Sequence, residues 1–157
     1  MERRIVGLFY FEQRFTININ LFNRYSNYFL HNKNLEKEQI YLNREFDPNL
    51  QHSEKMINAF IKFFEKGEID ITNRNAFSIQ FLSRKLDIPR LKELSRDYIE
   101  KKENEQELLD YIFSHTESLC SEQEEFIADD DRLLRFTISQ LYRIICKYLK
   151  KRVIPNI

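Results

Sequence analysis

The sequence predicts an α+β fold, with its strands gathered mostly near the start and helices filling the remainder. Three observations carry this reading. Apolar residues alternate with polar ones only in short stretches, above all Phe15, Ile17 and Ile19 against Thr16, Asn18 and Asn20. Three- and four-residue apolar spacing takes over at Leu21 and governs nearly all of the second half. Several of the helices so predicted have legible ends, as at Gly67, Pro89 and the pair Thr137 and Gln140. Strands gathered first and helices after them give an α+β layout, whereas regular alternation would give a doubly wound one.

Taken in order, Ile5 to Tyr10 is an apolar run rich in β-formers, and Glu12-Gln13 predicts the turn into a second strand. Leu21, Phe22, Tyr25, Tyr28 and Phe29 then fall at helical spacing, with Ser26 placed to cap a second short helix. Ile40-Tyr41-Leu42 is a third strand and Asp47-Pro48-Asn49 a turn. Ser53 is the predicted N-cap of a helix bearing Met56, Ile57, Phe60, Ile61 and Phe64. Gly67 stands where a left-handed residue ends it. Glu68-Ile69-Asp70-Ile71 alternates like a short strand, and Thr72 can cap the next helix, which presents Phe77, Phe81 and Leu82 inward. Proline suits only the first turn of a helix, so Pro89 sets the next break at Asp87-Ile88.

The run Glu100–Glu107 is nearly all charged and amide, and reads as a solvated helix face or a hinge. It marks a soft boundary between residues 1–100 and a helical extension, 101–157. Beyond it, Leu108, Leu109, Ile112 and Phe113 form one stripe. Ser121 with Glu124 and Thr137 with Gln140 both have capping-box spacing. Phe136 and Leu141 occupy the positions of a hydrophobic staple, and Ile138, Leu141, Tyr142, Ile145 and Leu149 continue the stripe.

Composition narrows the function classes. With 42% hydrophobic residues, 14 Phe and 8 Tyr but only 2 Gly, the 157-residue chain is neither a disordered tail nor a Gly-rich phosphate-binding enzyme. Its 25 Lys and Arg balance its 25 Asp and Glu, which argues against a nucleic-acid partner. No stretch approaches the roughly 18 apolar residues of a membrane helix, and Phe11-Glu12-Gln13-Arg14 offers no signal-peptide cleavage site. No membrane association is expected. Cys120 and Cys146 fit no ligand motif, so reduced thiols and a cytoplasmic or nuclear location are expected.

Enzyme motifs are missing from the sequence: there is no phosphate loop, no metalloprotease helix and no nucleophile elbow. His115 and Cys120 could form a base–nucleophile couple, but nothing nearby nominates the third, orienting group. The acids from Glu122 to Asp131 lack the Gly turn of a calcium loop and read as solvated helix starts. Lys147, Lys150, Lys151 and Arg152 suit a helix C-terminus. No catalytic residue, metal, cofactor or small-molecule substrate is therefore expected.

Several stretches together carry a family likeness. They are Leu21-Phe22-Asn23-Arg24-Tyr25-Ser26-Asn27-Tyr28-Phe29; Ala59 through Gly67 to Ile71; and Ala76 through Leu86 to Asp87-Ile88-Pro89-Arg90-Leu91. With them, residues from about 5 to 100 resemble the BTB/POZ domain, and Glu125–Leu141 resembles the helical BACK extension that follows many such domains. The resemblance implies a small, mainly three-stranded sheet flanked by a helix cluster. It implies a protein-interaction module without catalysis, an adaptor for a cullin-type ubiquitin ligase; the alternative is a homotypic oligomerisation scaffold. The partner is then a cullin, another protein, or a second copy of the chain. Cullin-recruiting members present an apolar residue, any residue, then Glu. The nearest pair here is Leu35 and Glu38, one residue further apart. With Tyr28 and Phe29, these two make the candidate partner-binding residues.

Overall fold

The structure, a computed structural model, describes residues 4–10, 13–31, 39–42, 54–116 and 119–153. Among them lies an α+β fold with a small mixed sheet. Strands β1 (Ile5–Tyr10) and β2 (Gln13–Asn18) form an antiparallel hairpin in which Val6 faces Ile17 and Leu8 faces Phe15. Strand β3 (Gln39–Tyr41) lies parallel to β1 on its other side, so the order is β2-β1-β3. Strict alternation sends Val6, Leu8, Ile17 and Ile40 into the core. The opposite face carries Ile5, Phe9, Arg14 and Tyr41, with the Phe9 and Tyr41 rings stacked at 4.7 Å.

The hairpin ends sooner than its apolar alternation suggests. Ile19 belongs to helix α1 (Ile19–Tyr25), because Asn18 caps that helix by accepting from the Asn20 and Leu21 amides. Helix α2 (Tyr28–His31) follows at once. Helix α3 (Glu54–Lys66) ends as the sequence predicts. Gly67 takes φ 74° and its amide donates to the Phe63 carbonyl at 2.7 Å. Asp47-Pro48-Asn49 and Ser53 lie outside the described residues.

Two expectations are corrected beyond α3. Glu68-Ile69-Asp70-Ile71 is no strand: its alternation packs Ile69 and Ile71 against the core, but among the described residues no neighbouring backbone pairs with it. Thr72 does not cap a helix directly. It opens a turn in which the Arg74 amide donates to its hydroxyl, and helix α4 (Ala76–Lys85) starts after Asn75. Pro89 opens helix α5 (Pro89–Glu100) as predicted, after a turn that puts Asp87 at φ 48°.

A single extended residue, Lys101, separates α5 from helix α6 (Lys102–Ser114), so most of the charged run is the first two turns of α6. Helices α7 (Ser121–Ile127), α8 (Asp130–Leu133) and α9 (Ile138–Val153) complete the described chain. The α7 cap is one residue earlier than the Ser121–Glu124 spacing suggests. Cys120 Sγ accepts from the Gln123 amide at 3.4 Å, and Gln123 Oε1 accepts the Cys120 amide at 3.1 Å. Thr137 and Gln140 do form their reciprocal pair, at 2.9 and 3.3 Å.

The core has two lobes. The first joins the inner sheet face to α1, α3 and α4 around a group of rings: Phe22 stacks on Phe64 at 5.2 Å, and Phe60 meets Phe64 edge-on at 5.3 Å. The second gathers Leu108, Leu109 and Ile112 of α6 with Phe126 and Ile127 of α7, and also takes Ala76, Phe77 and Ile99 from α4 and α5. Helices α4 and α5 thus serve both lobes, and Ile71 touches both.

Two substitutions check this account by urea denaturation. Ser26→Ala removes a buried hydroxyl that donates to the Leu86 carbonyl, and should cost about 1–3 kcal/mol. Gly67→Ala puts a Cβ at a left-handed position 2.7 Å from the Tyr25 hydroxyl and should cost about 1–2 kcal/mol; an unchanged midpoint would contradict that reading of the α3 terminus.

Candidate protein-interaction site

The sequence-predicted residues divide into two groups. Leu35 and Glu38 lie outside the described residues. Tyr28 and Phe29 are half-buried and pack on the first lobe, Phe29 at 5.4 Å from Phe22 and Tyr28 edge-on to Phe29 at 5.3 Å. These rings therefore anchor α2 as well as bordering the surface.

The anchoring continues through the backbone. The Ser26 hydroxyl donates to the Leu86 carbonyl and accepts from the Tyr28 amide at 3.1 Å. The Asn27 amide donates to the Asp87 carbonyl at 2.9 Å. The Asp87 carboxylate in turn holds Lys92 Nζ at 2.7 Å and lies 3.4 Å from His31 Nε2. A helix of only four residues is marginal alone, and here the α4–α5 turn fixes it. What α2 presents outward is Leu30, 64% exposed. Sequence reasoning passed over Leu30; the available signal was an apolar residue lying off the stripe of Phe22, Tyr25 and Phe29.

A second open apolar face belongs to α9. Its stripe is split by the fold. Leu141 and Ile144 pack on the second lobe, whereas Ile138, Tyr142 and Ile145 are 87%, 68% and 54% exposed, and Leu134 just before the helix is 83% exposed. Large apolar side chains thus stand in water on one helix face. A hydrogen bond with Cys146, one turn on, raises the Tyr142 pKa, and the charge of that thiol adds to the effect.

A cleft of about 300 Å³ lies between the extended 69–71 segment and α5, lined by Ile69, Asp70, Ile71, Leu94, Asp97, Tyr98 and Lys101. Burial, then the charge of Glu107, raises the Tyr98 pKa above its ordinary 10.0, while a backbone hydrogen bond at Asn73 opposes them.

The remaining candidates for chemistry are occupied structurally. His115 donates from Nδ1 to the Tyr111 carbonyl at 2.8 Å and packs on the Tyr111 ring at 4.3 Å, while Cys120 serves as the buried cap of α7. Glu122 is buried, with Arg84 at 3.8 Å. Glu105 binds Arg135 at 2.7 Å and has Arg132 at 4.0 Å, so these cations are matched within the chain. Among the described residues no three His, Cys, Asp or Glu side chains meet as a metal set, and no helix is long and apolar enough to cross a membrane.

Tyr98 gives a pH test. Its pKa is raised in the folded chain, so above pH 10.0 the unfolded chain loses that proton first and stability falls as pH rises. Tyr98→Phe should flatten the fall, measured as the urea midpoint against pH. An identical slope in both proteins would contradict the assignment.

No family model matches the chain, and no curated protein matches it.

Proposed function

We propose that the chain is a protein-interaction module of the BTB/POZ kind with a BACK-like helical extension, acting without catalysis as an adaptor for a cullin-type ubiquitin ligase in the cytoplasm or nucleus. The order of elements supports this reading: a hairpin, two short helices, a third strand paired to the first, a long helix closed by Gly67, then two helices joined at Pro89. The observation that carries the partner surface is Leu30. It is an exposed apolar residue on a short helix whose position three hydrogen bonds and two rings define. Pre-organisation of this kind lowers the entropy cost of docking. Leu35 and Glu38 follow a few residues on in the sequence.

The test is an affinity pull-down of the tagged chain from its own cell lysate, read by mass spectrometry, beside a Leu30→Glu variant whose circular dichroism matches the parent. The expected result is recovery of a cullin by the parent and its loss in the variant. Equal recovery by both would move the surface away from α2. Failure to recover a cullin with either would overturn the ligase-adaptor reading.

A further inference from the structure

Between α3 and α4 the 68–71 segment runs extended with its backbone edge open. Ile69 and Ile71 pack on the first lobe, while Glu68 and Asp70 are exposed. Among the described residues, a single backbone group of this segment has a partner: the Asp70 carbonyl accepts from Asn75 Nδ2 at 2.9 Å. Both ends are nevertheless fixed. Gly67 closes α3 before it, and Asn75 Oδ1 accepts the Thr72 amide at 2.7 Å after it. The cleft of about 300 Å³ opens alongside, with Leu94, Asp97 and Tyr98 of α5 in its lining. Its charge is mainly negative. No ion pair engages Asp70 among the described residues, Asp97 meets the exposed Arg96 at 3.7 Å, and Lys101 is the one base in the lining.

We infer that this edge takes an extended segment of a partner protein in which apolar residues alternate with Lys or Arg. Unpaired N–H and C=O groups held in extended backbone are complementary to another extended backbone, which adds to them as a strand. Side chains of the added strand then alternate between its two faces. On the face of Ile69 and Ile71, the apolar residues of the peptide enter the cleft against Leu94 and the Tyr98 ring. On the other face, its cations lie beside the exposed carboxylates of Glu68 and Asp70. The cleft is at the lower limit of ligand pockets, about 300–1,000 Å³, as suits side chains entering from a peptide. A second copy of the same edge fits poorly, because antiparallel pairing about a two-fold axis would set Glu68 and Asp70 against their own counterparts. The inference goes beyond the adaptor reading and does not rest on it, since Leu30 stands on α2.

Fluorescence polarisation on the whole chain tests it, with a labelled hexapeptide of alternating valine and lysine as the probe. The expected result is saturable binding with a Kd on the order of 10–100 µM, because so short a strand makes a small interface. Asp70→Lys leaves the backbone carbonyl for Asn75 and should weaken binding at least about tenfold with unchanged circular dichroism. Leu94→Glu should do the same from the opposite side of the cleft. Replacing the lysines of the probe by glutamate should abolish binding. A probe methylated on every backbone amide keeps its side chains and charges but loses its strand-pairing donors, and should bind at least about tenfold more weakly. Failure of the probe to saturate, binding that survives Asp70→Lys or Leu94→Glu, or equal binding of the glutamate or methylated probe would overturn the inference. So would a chain that sediments as a dimer and takes up no probe, which would assign the edge to a second copy. None of these outcomes alters recovery of a cullin through Leu30, so the two readings fail separately.

Discussion

The turn Leu86-Asp87-Ile88 is the constraint on which the rest of the molecule depends. Leu86 and Ile88 are fully buried, the Leu86 and Ile88 amides donate back to Leu82 and Ser83, and Pro89 fixes the start of the next helix. This leaves two carbonyls, of Leu86 and Asp87, directed at the α1–α2 junction, where Ser26 and Asn27 take them. A buried carbonyl left without a donor costs about 1–3 kcal/mol, so the junction and the turn specify each other across 60 residues of sequence. Asp87 can hold its left-handed backbone because Asp tolerates that region better than most residues, and its carboxylate is steadied by Lys92.

From that turn α4 and α5 run between the two lobes of the core. Ile79, Leu82 and Leu91 face the sheet side, while Ala76, Phe77 and Ile99 face α6 and α7. Any motion of the α4–α5 pair would thus disturb both lobes at once. The two open surfaces sit at opposite ends of this arrangement in sequence, Leu30 on α2 and the Ile138–Ile145 stripe on α9. The proposed adaptor role would need two surfaces held in a fixed relation.

Features governed by backbone chemistry were legible in the sequence. Gly67 and Pro89 are positions where few other residues serve, and Thr137 with Gln140 has one natural geometry. Features governed by competition between neighbours were less so. Ile19 continues a period-two pattern, but Asn18 wins it for α1 by capping. Glu68–Ile71 alternates as a strand would, because its two isoleucines must face the core, yet alternation says nothing about whether a backbone partner exists. At α7 a thiol, a weak acceptor, displaces the expected serine because Cys120 is the buried neighbour. The site was harder still. Spacing identifies the apolar side of α9 but not which of its residues the fold covers, and only packing separates Leu141 and Ile144 from Ile138, Tyr142 and Ile145.

The central claim is that one shared pair of helices makes the two lobes a single rigid support for both surfaces. Native-state hydrogen exchange under rising denaturant tests it most directly, because it resolves the opening free energy of each segment. The account predicts that the slowest amides of β1 and α3 and those of α6 converge on one common opening free energy. An α6 that opens at a clearly lower free energy, while β1 and α3 stay protected, would contradict it.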